Sequence, residues 1–169
     1  MPFEHVTLAG LAPVRIREAT EYDQREIEAL VHSERLNPND LDWRRFVVAG
    51  DGVRIVGAVQ LRRHADGSRE LGSLVVHPQA RGQGLAARLI DALLAKEEGR
   101  VWMITNGKCA ARYARWGFVP IEPRAAPAPV RRNHRIGRLV GGLLSLLQGR
   151  RPARLVILER AGAVPMFHS

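Results

Sequence analysis

The chain holds 169 residues, 46% of them hydrophobic and 25% charged, with a formal net charge of +9, which fits one soluble globular domain with room for a substantial core. No apolar run approaches the roughly 18–20 residues of a membrane span, and Met1-Pro2-Phe3-Glu4-His5 has no basic stretch leading into an apolar core, so nothing points to export. The single cysteine, Cys109, excludes an internal disulfide and a cysteine-built metal cluster and accords with a reducing, cytoplasmic setting.

Val14-Arg15-Ile16-Arg17 alternates as a half-buried strand does. Thr20, followed three residues later by Asp23, has the form of a capping box, and a helix from there to about His32 turns Ile27, Leu30 and Val31 to one side. Asn37-Pro38-Asn39-Asp40 breaks the chain, and a short helical turn over 41–43 follows. Residues 45–49 and 53–61 read as strands joined across Asp51-Gly52, and Asp66-Gly67 marks the next hairpin. Glu70 opens a strand that ends at Val76.

That strand runs through Leu74, Val75 and Val76 into His77-Pro78 and then Gln79-Ala80-Arg81-Gly82-Gln83-Gly84. A helical pattern starts at once, with Leu85, Leu89, Ile90, Leu93 and Leu94 on one face up to about Lys96. Strand, glycine turn and helix in this order suit a phosphate. Two glycines let the backbone approach a ligand, and the first turn of the helix leaves N–H groups unpaired at the positive end of its dipole. There is no Gly-Lys-Ser/Thr, and the three-glycine dinucleotide fingerprint is not met.

Gly99 stops the helix and 101–104 form a strand, a crossover that sets two neighbouring strands parallel. Asn106 starts a helix through Trp116, closed by Gly117, and 118–121 form another strand. Pro123–Pro129 reads as an exposed linker. Over 131–147, Ile136, Leu139, Val140, Leu143, Leu144 and Leu147 recur at helical spacing with arginines opposite, although Gly141-Gly142 weakens the pattern. A last strand spans 154–158.

The turn from Gln79 to Ala86 resembles the Arg/Gln-x-x-Gly-x-Gly/Ala signature of the GNAT superfamily of N-acetyltransferases, and the Leu74-x-Val76-x-Pro78 prefix is a habit of the same family. Asn106 with Tyr113 seven residues on, and Tyr113-Ala114-Arg115-Trp116-Gly117-Phe118, are similar to the family's Tyr-x-x-x-Gly-Phe ending. The resemblance covers roughly 14–121 and the last strand. It implies one α/β domain over 1–169 with a mixed, mostly antiparallel sheet of six to seven strands, a parallel pair at the acetyl-CoA crossover and flanking helices. Residues 123–152 stand outside the shortest family pattern as a linker plus an inserted basic helix.

The resemblance further implies an acetyl-CoA-dependent enzyme that passes acetyl directly to a primary amine. The amides of Arg81, Gly82, Gln83, Gly84, Leu85 and Ala86 would hold the diphosphate, with Arg81 adding charge; Arg88 or Arg112 either meets the 3′-phosphate or is an ordinary surface arginine. Leu74, Val75 and Val76 would polarise the thioester carbonyl and pair with the pantetheine arm, their donors freed by a bulge at Gly72-Ser73. Asn106 is either a pantetheine contact or a helix cap. Tyr113 is the expected acid, since a phenol of pKa ~10 stays protonated at neutral pH; the alternative is a tyrosine packed on the helix's inner face. Glu70 is the expected base, or else a strand-end charge paired with Arg62, Arg63 or Arg69. Cys109, Trp43 and Trp102 read as packing residues, and His32, His64 and His77 lack ligand spacing, so no metal is expected.

The acceptor is less determined. The Leu36-Asn37-Pro38, Leu41-Asp42-Trp43 and Asp66–Leu71 stretches look like small amino-acid acetyltransferases of the glutamate-acetylating type, while a small amine, a protein N-terminus or a lysine remain alternatives. Residues 124–160 carry nine arginines against the single acid Glu159, a net +8 of the chain's +9. Three accounts stand for the helix in that segment: packing of its leucine face on its own sheet or a partner subunit, attraction to anionic lipid, and contact with nucleic acid or an acidic protein. The last two define a rival reading, a GNAT-fold binding module docked through 130–151. Oligomeric state, monomer or homodimer, is open.

Overall fold

Among the described residues there are seven strands and three α-helices. In the computed structural model, which describes residues 13–162, β1 (Arg15–Glu18) pairs antiparallel with β2 (Phe46–Gly50), and β2 with β3 (Ile55–Arg63). β4 (Arg69–Val76) pairs parallel with β5 (Val101–Asn106), as the crossover requires, and β7 (Leu155–Arg160) lies antiparallel to both β5 and β6 (Phe118–Ile121). The sheet order is β1-β2-β3-β4-β5-β7-β6. Reading Met1–His5 for an export signal falls outside the described residues.

The chain forms two compact units, and their boundary runs through β3 and β4. The first takes in the described part of Met1–Gln60 together with Ser73–Ala95. Its core gathers Ile27, Leu30 and Val31 of α1 (Gln24–Ser33) with Phe46, Val48, Ala58 and Val75 from the strands, and Trp43 packs at the margin. α1 is entered through the expected cap, in which the Asp23 carboxylate accepts from the Thr20 N–H at 2.7 Å and the Thr20 hydroxyl at 3.0 Å. Asp51 shapes the β2–β3 turn by accepting from the amides of Val53 and Arg54, both at 2.9 Å. The short helical turn expected over 41–43 falls at Trp43–Arg45, where Asp42 caps it.

The second unit comprises Leu61–Gly72 with the described part of Lys96–Ser169. Its core is Trp102, Ala126, Val130 and Ile157, with Ile104 and Ile121 packed against them. Two expectations need correction here. Pro123–Pro129 is not an exposed linker: Pro123–Ala125 form a 3-10 turn, Ala126 is buried, and α3 (Ala128–Leu147) begins inside the segment with Pro129 in its first turn, where a missing N–H costs nothing. Gly141-Gly142 does not interrupt α3, and its leucine face does not pack on the sheet. Among the described residues, Leu139 is 74% exposed and Leu143 61%, whereas Val130 and His134 are the buried positions.

The segment after Asn106 is also different in kind. Gly107–Trp116 is a 3-10 helix, with about three residues per turn instead of 3.6. Gly107, Ala110, Tyr113 and Trp116 are half-buried, while the solvent-facing positions fall between them. A burial period of three favours the tighter helix. It also stacks Tyr113 against Trp116, with ring centroids 6.1 Å apart.

Candidate active site

In the first unit, β4 leaves the sheet through a 3-10 turn at Pro78–Ala80, fixed by the His77 amide donating to Val56 O at 2.8 Å. Arg81 to Gly84 are exposed, and α2 (Leu85–Leu94) starts immediately, anchored by the buried Leu85, Leu89 and Ile90. Gly82 and Gly84 sit at φ +78° and +71°, left-handed conformations that carry a penalty for any residue with a Cβ. A Cβ on either would meet nothing within 4 Å, so the space over the turn is open. No acid lies in the first turn of α2, which leaves its free amides and positive dipole end without a competing carboxylate.

Arg81 is not aimed freely over that space. Its Nε donates to Val76 O at 3.0 Å and its guanidinium pairs with Glu34, so the side chain ties the turn to the end of β4 and to α1. Arg88 donates to Val14 O at 3.2 Å. In β4 the residue at the expected bulge, Ser73, has φ +50°, a left-handed position in mid-strand held by Gln60 Nε2 donating to its hydroxyl at 2.9 Å. Val75 is buried beyond it, and Leu74 and Val76 are half-buried.

In the second unit, Asn106 ends β5, and its Oδ1 accepts from the Lys108 amide at 3.0 Å, so the cap reading of this residue is realised. Tyr113 is half-buried against Trp116 and, edge-on at 6.4 Å, Phe118. Burial pushes its phenol above the ordinary value, opposed by a hydrogen bond with Thr105. The ring is thus anchored while the hydroxyl stays in its protonated form.

Glu70 is buried in β4 opposite Trp102 of β5. Its Oε1 accepts from Arg62 Nη1 at 3.4 Å, and Oε2 lies 3.0 Å from His64 Nε2 and 2.9 Å from Asn133 Nδ2. Of the three arginine partners weighed from sequence, Arg62 is the one it meets, while Arg69 pairs with Glu97. Arg62 reaches across because Gly72 has no side chain: a Cβ there would stand 2.5 Å from Arg62 Nη1. Sequence reasoning missed His64 and Asn133. The first lies six residues from Glu70 across the Asp66-Gly67 hairpin, a spacing that could have found it, whereas Asn133 comes from α3, 63 residues away. Arg112 is exposed and Cys109 half-buried. Among the described residues no three His, Cys, Asp or Glu gather as a metal site, and no helix is long and apolar enough to cross a membrane.

Comparison with known proteins bears on this arrangement. The family model of the acetyltransferase (GNAT) domain matches residues 42–120, from the capped turn before β2 to β6. A mycothiol acetyltransferase of Rhodococcus erythropolis is 37% identical over 75 residues, 42% of this chain and 24% of that protein. The N-acetylglutamate synthase of Neisseria gonorrhoeae, solved with coenzyme A and L-arginine, superposes with a TM-score of 0.64 at 21% identity, covering 89% of this chain and 33% of its own. A Mycobacterium tuberculosis protein solved with CoA gives 0.62 at 23% identity, over 87% of this chain and 98% of the other. The chain therefore spans about a quarter of the mycothiol enzyme and a third of the synthase. The match over 42–120, the sheet with its β4–β5 parallel pair and the glycine turn that opens α2 together identify residues 42–120 as a GNAT acetyltransferase domain.

Proposed function

We propose that the protein is an acetyl-CoA-dependent N-acetyltransferase that transfers acetyl directly to the primary amine of a small molecule or amino acid. The observation that carries this reading is the open turn at Gly82 and Gly84, with unopposed amides at the start of α2. There the amides of Arg81 to Ala86 bind the diphosphate, and Arg81, neutralised by Glu34, holds the turn in shape instead of supplying the principal charge. Leu74, Val75 and Val76 bind the pantetheine arm and polarise the thioester carbonyl, with Ser73 redirecting the strand ahead of them. Asn106 contributes a pantetheine contact beside its capping role.

The free amine attacks the thioester carbon to give a tetrahedral intermediate, and the C–S bond then breaks. The departing thiolate takes the Tyr113 proton, and the proton lost by the nitrogen passes to Glu70, with His64 hydrogen-bonded to that carboxylate as its neighbour. Likeness to N-acetylglutamate synthase and to a mycothiol acetyltransferase supports an amine acceptor of metabolite size.

Calorimetric titration with acetyl-CoA is expected to give saturable binding, and absence of binding overturns the reading. An acceptor screen by thiol release, covering glutamate, other amino acids, polyamines and peptides, then identifies the amine. Activity confined to peptides would reassign the acceptor class while leaving the transferase standing.

A further inference from the structure

α3 meets the rest of its unit along one side and leaves its broadest apolar face bare. The contact side is Val130, Asn133, His134 and Gly137: Val130 is fully buried, Asn133 Nδ2 donates to Glu70 Oε2 at 2.9 Å, His134 Nε2 donates to Leu155 O at 3.1 Å, and a Cβ on Gly137 would stand 3.1 Å from Leu155 Cδ1. Ile136, Leu139, Val140, Leu143, Leu144 and Leu147 lie elsewhere on the helix, each between 48% and 76% exposed. At about 100° per residue these six share an arc roughly 140° wide. Arg132, one turn before Ile136, falls on the same side as that arc, Arg135 borders it on the side away from Leu155, Arg131 and Arg138 lie on the opposite face, and Arg150 and Arg151 follow the end of the helix. No acid stands between Glu122 and Glu159.

We propose that α3 seats the protein on an anionic lipid surface, with the leucine arc at the acyl boundary and the arginines on headgroup phosphates. The helix is not long and apolar enough to cross a bilayer, so it lies in the interface. Charge complementarity selects this occupant. A nucleic acid would engage the arginines and leave six aliphatic side chains in water. A second copy of the chain would cover the leucines, but it would bring Arg132 and Arg135 of both copies to the contact with no acid in either segment to meet them.

The test is co-sedimentation of the full chain with vesicles of phosphatidylcholine alone and of phosphatidylcholine with about one third phosphatidylglycerol, at low and high salt. Binding is expected only to the anionic vesicles and is expected to weaken with salt. Substituting Arg132, Arg135 and Arg151 by Gln should weaken it on the order of 100-fold, about fivefold for each charge removed. Substituting Leu139, Leu143 and Leu147 by Ser should also abolish it at unchanged net charge, and since all three are exposed, folding should be preserved by circular dichroism. Equal partition into neutral vesicles, or none into anionic ones, overturns the proposal. So does serine-variant binding equal to wild type, the mark of simple polyanion attraction. A dimer in sedimentation that dissociates in the serine variant assigns the face to a second copy and equally overturns it.

Discussion

Replacing Tyr113 by Phe separates chemistry from packing. The ring keeps its contacts with Trp116 at 6.1 Å and Phe118 at 6.4 Å, and only the hydroxyl and its bond with Thr105 are lost. That bond contributes about 1 kcal/mol to stability. A positioned general acid contributes on the order of 10²–10⁴ in rate, about 3–5 kcal/mol of barrier. The expected result is a variant that unfolds in urea within about 1 kcal/mol of wild type yet releases thiol at least ~100-fold more slowly. The pH profile adds a second readout. An acid works in its protonated form, and burial raises this phenol, so the wild-type rate should hold past pH ~10 before it falls, a limb that the variant lacks. A variant that turns over as fast as wild type across the range, or whose loss of rate follows its loss of stability, would refute the assignment.

Glu70→Gln should slow turnover by ~10²-fold or more and cost about 1–3 kcal/mol of stability, because the buried Arg62 loses its charged acceptor; parallel rate and urea measurements check both. A rate equal to wild type removes Glu70 from the chemistry. Gly84→Ala places a Cβ at φ +71°, so a loss of about 1–2 kcal/mol from backbone strain is expected together with weaker acetyl-CoA binding, read by thermal shift and calorimetry. Asp23, held by Arg17 at 2.6 Å, has its carboxyl lowered to about 2. Because the folded value lies below the unfolded one, its contribution is complete above pH ~4 and disappears between there and pH ~2. The whole shift corresponds to roughly 2.4 kcal/mol, and solvent around the half-exposed Arg17 reduces this to about 1 kcal/mol. Asp23→Asn should therefore lower stability at neutral pH by that amount and converge with wild type near pH ~2 in urea titrations.

What the sequence revealed tracks how local each signal is. The turn at Gly82 and Gly84, the Asp23 cap, the Asp51-Gly52 and Asp66-Gly67 hairpins and the Asn106 cap are each written within a few residues, and each appears where expected. Gly72-Ser73 reads as a bulge site in the sequence; the structure gives Ser73 a left-handed φ, and the Gln60 side chain that donates to its hydroxyl comes from the neighbouring strand. The sequence marks the helix over 106–116 by its ends, Asn106 and Gly117, which do not distinguish a 3-10 helix from an α-helix. The burial of Ala126 was hidden behind prolines that resemble a linker. For α3 the apolar stripe is legible, and of the accounts open for it the structure removes packing on its own sheet. The contact side is defined by Val130, Asn133, His134 and Gly137, too small and too mixed a set to stand out beside a run of leucines.

One bond links α3 to the carboxylate proposed as the base. Asn133 lies one residue before His134 on α3, and its amide rests on the Glu70 carboxylate at 2.9 Å. A helix turned by a single position, ~100°, would carry that amide away and strip the carboxylate of one of its donors. The rotational setting of α3 is therefore part of the electrostatic environment of Glu70, although helix and carboxylate stand 63 positions apart in the chain.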